Sequence, residues 1–369
     1  MNARFSVLCL LCAAISGCGP SHNQPFVPVP PANARPAMSS SAHPMLMSAS
    51  LQSGSVFIST FQAPSNVINL YVPASANPVR TITHGFTVPG HLALDPLGNL
   101  YSGNGDPRDI TVYAPGSSSV MRTITPRLNG GGWFVMGVDV SARLYALSYW
   151  SQCRFQCLPY SQYAVYSAGA TTPLRTLSFG PTSRNSQPPE SIAFDRAQDV
   201  YVGNAGWIDV YSAGLATKLR EITLRYGSAP ALAFDSLGVL YVDHGNAVSE
   251  YAGGGTSLLR LIRSGVFESQ AIALDRFNNL YVANGPPNGS TGSVTIYRAG
   301  TTSLVRKIRT GIVNPVGLAF DRSGNLYVLN RELGTTFNGS VAIYAPGGSV
   351  PVRTLRARTC CPFEMVVQP

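Results

Sequence analysis

The chain says the same thing many times. "LALDPLGNLYSGN" (92–104) returns as "IAFDRAQDVYVGN" (192–204), "LAFDSLGVLYVDH" (232–244), "IALDRFNNLYVAN" (272–284) and "LAFDRSGNLYVLN" (318–330), with a weaker copy, "MGVDVSARLYALS", at 136–148. Each copy is two short apolar runs joined by a tight turn, the pattern of a β-hairpin. A second motif follows, as in "YAPGSSSVMRTI" (113–124) or "YRAGTTSLVRKI" (297–308). Its tyrosines stand at 71, 113, 166, 211, 251, 297 and 344, a mean spacing of about 45 residues. That period fits four-stranded propeller blades.

One unit therefore reads as four antiparallel strands, a to d, for instance "LAFD", "NLYV", "VAIY" and "VRTL" in the last copy. Apolar runs without strict alternation fit inner strands buried on both faces by neighbouring blades. The first unit lacks an a strand, and the chain finishes on an unpartnered a-type segment, "PFEMVVQP" (362–369). Putting the last segment into the first blade closes the ring and leaves no strand edge open between blades. The expectation is an all-β, seven-bladed propeller with four-stranded blades over 51–369, closed by the C-terminal strand. These units resemble NHL-type and SMP-30/gluconolactonase-like propeller repeats, and the virginiamycin B lyase-like propellers. The resemblance implies the fold. It does not fix the chemistry, because such propellers host binding proteins and enzymes alike.

The repeated Asp (95, 139, 195, 235, 275, 321) ends strand a, where a carboxylate caps turn N–H groups. The repeated Arg (80, 122, 175, 220, 260, 306, 353) lies in the outermost strand, where charge blunts an exposed edge. It is expected to form a solvated basic girdle. The net charge of +9 is almost all arginine and is spread along the chain, which argues against a nucleic-acid partner.

In a propeller the d–a and b–c links share one face, the mouth of the central channel. The residues read there are His91, Asn104, Phe134, Ser148, Glu190, Asn204, His244, Asn246, Gln270, Asn284, Asn330, Phe363 and Glu364. A concave polar mouth is the expected ligand site, with Asn104, Asn204, Asn284, Asn330, Gln270, Phe134 and Phe363 as its contact residues. Glu190 with His244 or His91 is the candidate acid–base set. The gluconolactonase resemblance implies a divalent-metal set drawn from Glu190, Asn204 and Asn284, but no clear Asp completes it; Asp243 and Asp106 are poor substitutes. No cofactor is expected, with a divalent metal at the mouth as the alternative. No phosphate loop, His-Glu-x-x-His or Gly-x-Ser-x-Gly element occurs.

The N-terminus reads as an address. "MNARFSVLCLLCAAISGC" is a basic residue, a short apolar run, and small residues before Cys18, the pattern of a secretory signal. Its ending resembles the lipobox of bacterial lipoproteins, which implies cleavage after residue 17 and lipidation of Cys18. Residues 18–50 are rich in Pro, Ser and Ala and read as a disordered tether. In an oxidising compartment Cys153, Cys157, Cys360 and Cys361 are disulfide candidates on the mouth face, with three full pairings open. The expectation is an envelope lipoprotein held outside the cytoplasm, at the outer membrane or its periplasmic face. Its partners are the membrane, through the lipid, and a protein, carbohydrate or other ligand at the mouth. A secreted lactonase- or lyase-like enzyme is the alternative.

Overall fold

The computed structural model describes residues 51–369 apart from 61–65, 107, 127–132, 154–156, 254, 286–290, 332–337 and 361. Cys18, the signal and the tether lie outside the described residues, as does Cys361. The described chain forms seven four-stranded antiparallel sheets. The first three strands are β1 (Val56–Thr60), β2 (Val67–Tyr71) and β3 (Arg80–Ile82). Blade two holds β4 (Val88–Leu94), β5 (Leu100–Asp106), β6 (Ile110–Tyr113) and β7 (Val120–Ile124). Blade three holds β8 (Trp133–Val138), β9 (Leu144–Cys153), β10 (Cys157–Tyr166) and β11 (Arg175–Phe179). Blade four holds β12 (Ser191–Phe194), β13 (Val200–Asn204), β14 (Trp207–Tyr211) and β15 (Lys218–Thr223). Blade five holds β16 (Ala231–Phe234), β17 (Leu240–Asp243), β18 (Val248–Tyr251) and β19 (Leu258–Ile262). Blade six holds β20 (Ser269–Leu274), β21 (Leu280–Asn284), β22 (Ser293–Tyr297) and β23 (Leu304–Ile308). Blade seven holds β24 (Pro315–Phe320), β25 (Leu326–Arg331), β26 (Asn338–Tyr344) and β27 (Arg353–Cys360).

The last strand, β28 (Pro362–Val367), pairs with β1, from Val56 opposite Val367 to Thr60 opposite Pro362. Blade one is thus completed by the end of the chain, as the sequence predicts. The inner strands β28, β4, β8, β12, β16, β20 and β24 neighbour one another in a ring. A separate apolar cluster fills each junction between blades. At the closing seam Val56, Ile58, Met365 and Val367 of blade one pack on Tyr327, Leu329 and Val341 of blade seven.

The repeated Asp caps its turn as expected. Asp95 Oδ1 accepts from the N–H groups of Leu97 and Asn99, both at 2.9 Å, and its Oδ2 accepts from Asn99 Nδ2 at 2.7 Å and from the Tyr101 hydroxyl at 3.3 Å. The repeated Arg departs from the girdle reading: Arg122, Arg220, Arg260, Arg306 and Arg353 are half-buried, and Arg80 and Arg175 are exposed. Arg122 donates to Tyr101 Oη at 3.0 Å and Arg220 to Tyr201 Oη at 2.6 Å. The reason is donor bookkeeping. A phenol that gives its proton to an Asp still has lone pairs, and a guanidinium has only donors. Burial, followed by the charge of Asp95, pushes Tyr101 up to about 12, so it stays a neutral relay. Other arginines tie blades together: Arg175 donates to the Ala216 carbonyl at 3.2 Å, and Arg306 to the carbonyl of Gly347 in the next blade.

Candidate functional site at the channel mouth

Four neighbouring inner strands bulge at their mouth ends. On β28 the register slips between Ser59 and Thr60 of its partner, leaving Phe363 extra. On β4, Gly90 and His91 together oppose Gly103; on β20 Gln270 is extra, and on β24 Val316. In ring order these are blades six, seven, one and two. Across the ring, β12 and β16 pair without a shift. A bulge re-aims the residue it inserts. Gly90 makes the β4 bulge feasible, because a Cβ there would lie 2.7 Å from the Gly103 carbonyl oxygen. Two links feeding this arc hold non-glycine residues in the left-handed region, Glu268 and Asn314, both at φ 44°. Such strain persists only where the surroundings impose it.

The β28 and β4 bulges bring three of the sequence candidates together. His91 Nδ1 lies 3.1 Å from Glu364 Oε2, which also accepts the Leu92 N–H at 2.7 Å. A carboxylate only accepts, so Nδ1 carries the proton. The Phe363 ring stands 4.9 Å from the imidazole. His91 is buried, and among the described residues nothing hydrogen-bonds its Nε2. An imidazole fixed by a carboxylate at one nitrogen and unengaged at the other is set to accept a proton or a polar ligand group.

The other candidates are committed internally. Asn284 Oδ1 accepts from Phe267 N–H at 2.8 Å, and its Nδ2 donates to Thr295 Oγ1 at 3.0 Å. Asn330 accepts from Val313 N–H at 3.1 Å and donates to the Gly311 carbonyl at 2.9 Å. Asn104 donates to Asp109, Thr111 and Gly85. Asn204 accepts from the Tyr163 hydroxyl at 3.4 Å and donates to the Val202 carbonyl at 3.1 Å. All four are buried. In blades two, six and seven they pin the end of strand b to the preceding d–a link and to strand c. His244 fills the same role. Its Nδ1 is 2.8 Å from the Ser228 carbonyl and its Nε2 2.9 Å from Ser249 Oγ. Burial pushes its pKa below the ordinary histidine value, so at neutral pH it holds one proton. A carbonyl cannot donate, so that proton is on Nδ1 and Nε2 accepts from Ser249. Replacing Asn284 by Ala should leave the Phe267 amide unpaired and take from the Thr295 hydroxyl one of its two partners, the Gly265 carbonyl being the other, at a cost of about 2 kcal/mol read as a lower urea midpoint at unchanged slope.

Glu190 bridges blades, its Oε2 accepting the Ala229 N–H at 2.6 Å. Gln270 donates to the Glu268 carbonyl at 3.1 Å, and Asn246 Oδ1 accepts the Glu268 N–H at 3.2 Å. With the Asn204 and Asn284 oxygens turned to protein donors, the implied metal set does not fit a cation as it stands. Phe134 sits in β8 opposite Ser148, whose hydroxyl donates to the Gln162 carbonyl at 3.1 Å. In blade three the b–c hairpin is lengthened, with strands of ten residues, a cross-strand stack of Trp150 on Tyr160 at 5.6 Å, and Cys153 directly opposite Cys157. Directly opposed Cα positions lie within disulfide range. Cys360 ends β27.

Sequence reasoning undervalued Asp243. It is wholly buried at the end of β17; its Oδ1 accepts from Gly245 N–H at 2.9 Å and from the Ser269 hydroxyl, and among the described residues Oδ2 has no partner. Burial raises its pKa to about 6, against the opposing effect of those hydrogen bonds.

Fold and mouth together define a closed seven-bladed β-propeller with one bulged arc at its channel mouth. No protein-family model matches the chain, and no curated protein matches it.

Proposed function

We propose that this protein is a lipid-anchored component of the cell envelope, with an NHL-type propeller that serves as a rigid binding scaffold. The observation that carries the reading is the arc. The recurrent asparagines are spent on holding the blades, while four adjacent bulges offer residues that differ from blade to blade: Gln270, Val316, Phe363 and His91. Non-repeating side chains on a rigid repeat are the means by which such a scaffold recognises one ligand. The partner is a protein or carbohydrate at the mouth, beside the lengthened hairpin that Cys153 and Cys157 staple. The anchor is a lipid on Cys18, joined through residues 18–50.

Two measurements test this. Cys18→Ala should move the protein from the membrane fraction to the soluble fraction; an unchanged distribution removes the anchor. Capture from detergent-solubilised envelope should retain a partner on the native chain and lose it with Phe363→Ala combined with Gln270→Ala. Equal retention would remove the arc as the binding site. A second reading, a lactonase- or lyase-like enzyme, is favoured by one observation, the His91–Glu364 pair. In that case His91→Gln should abolish turnover while leaving ligand affinity within a few-fold.

A further inference from the structure

The exposed apolar side chains of the propeller are gathered on the side away from the mouth. Among the described residues seventeen large hydrophobic side chains are exposed, and only Leu158 and Phe267 belong to mouth-side segments. The other fifteen lie in the a–b turns, in the c–d turns, or at the ends of the outer strands next to those turns. Leu97, Leu237 and Phe277 occupy the same turn position in blades two, five and six, at 74%, 79% and 65% exposure. Val79, Met121, Leu174, Leu219, Leu259, Val305 and Val352 each precede the repeated Arg, so every blade contributes one exposed aliphatic group to the adjoining rim. A monomer that keeps its surface apolar groups scattered does not produce this asymmetry by chance placement.

The charge of this face is predominantly positive. Exposed Arg196, Arg276 and Arg322 stand in the a–b turns, and Arg276 lies over the Phe277 ring at 4.8 Å. The repeated turn carboxylates cap their own turns, Asp199 in blade four is a further, partly exposed one, and the seven c–d turns contain no Asp or Glu. Leu51 packs in the cluster of Leu94 and Val366 and reaches the Gly98 turn, so the described chain also starts on this side of the ring.

We infer that the a–b/c–d turn face is a docking surface for a bilayer rich in anionic lipid, with Leu97, Leu237 and Phe277 entering the headgroup region and the turn arginines meeting phosphate. The inference rests on the lipid-anchored reading and extends it. A lipid holds the chain near the membrane, and the apolar, cationic face then seats the ring with its mouth turned away. Apolar insertion and arginine–phosphate attraction reinforce one another in such interfacial binding.

The test uses a chain beginning at Gly19, which contains the whole closed ring and lacks both the apolar signal and Cys18. It should cosediment with vesicles of phosphatidylglycerol and phosphatidylcholine and much less with phosphatidylcholine alone. Leu97→Ser, Leu237→Ser and Phe277→Ser together should weaken binding at least about tenfold. Arg196→Gln with Arg276→Gln and Arg322→Gln should remove the preference for the anionic vesicle. The mouth-side control, Leu158→Ser with Phe267→Ser, should bind as the native chain does, and an unchanged melting temperature shows that each variant is folded. Absence of vesicle binding, equal binding by the serine variant, or self-association through this face in place of vesicle binding overturns the inference. The mass of the mature N-terminus of the full chain tests the anchor separately. An unmodified Cys18 defeats the anchored reading alone, and failed cosedimentation with a lipidated Cys18 defeats the docking face alone.

Discussion

A chain stopped before Pro362 should lose its cooperative unfolding transition and elute as an oligomer. The missing strand supplies Met365 and Val367 to the seam with blade seven and Val366 to the cluster around Phe57. Three apolar side chains at about 2 kcal/mol each, with the β1 ladder added, amount to a loss on the order of 5–10 kcal/mol, comparable with the whole stability of a typical domain. The cut also bares β1, which then has an unpaired edge along five residues. Such an edge recruits another chain. Urea denaturation and size-exclusion chromatography read both effects. A truncated chain that stays monomeric and keeps its midpoint would show that the seam does not hold the ring.

Asp243→Asn should change the pH dependence of stability more than any other single substitution at the mouth. Folding raises this carboxyl from its ordinary 3.8 to about 6 because burial disfavours the charged form. Below about pH 3 both folded and unfolded states are protonated and the group costs nothing. As pH rises from 4 to 6 the unfolded chain ionises first, so the folded state loses ground. Above about pH 7 the penalty is complete, at about 3 kcal/mol for a shift of two units. The amide carries no such penalty. The stability difference between variant and native chain should therefore move by about 3 kcal/mol in the variant's favour between pH 3 and pH 7. Urea midpoints at four pH values suffice, and parallel profiles would show that Asp243 ionises freely in the fold.

Blade number, strand order and ring closure were legible because the signals are periodic. The Asp of each a–b turn, the Tyr that ends each c strand and the spare terminal segment are enough to count seven and to close the circle. The mouth was legible as a place but not as a set of contacts. Sequence put Asn104, Asn204, Asn284 and Asn330 at the ends of b strands; Asn204 and Asn284 end theirs, and Asn104 and Asn330 stand one or two residues before the end. Which way an amide turns there depends on whether a d–a link offers it an N–H or a carbonyl, and those links share no length or motif. The bulges were invisible for the same reason. One extra residue in β20 or β24 looks like one more residue of link. His244 looked like a break in the pattern, yet its ring spans the same gap that an asparagine spans in other blades. The repeated Arg was assigned to the right strand. The inward reach of Arg122 and Arg220 follows from the lone pairs of a buried tyrosine two strands away, while Arg260 turns to Glu250 and Arg306 to the next blade, and no fixed spacing along the chain announces either.

The pairing of β28 with β1 also sets a schedule. Residues 56–60 are among the first of the propeller to be synthesised, and 362–367 are the last. The first blade cannot be completed until β28 has emerged, so a nascent chain that stops short of it has six prospective blades and no closed ring. Domains normally fold as they emerge. This one cannot reach its closed state before β28 has emerged, so the seam between its first and last strands is the latest contact the ring can make.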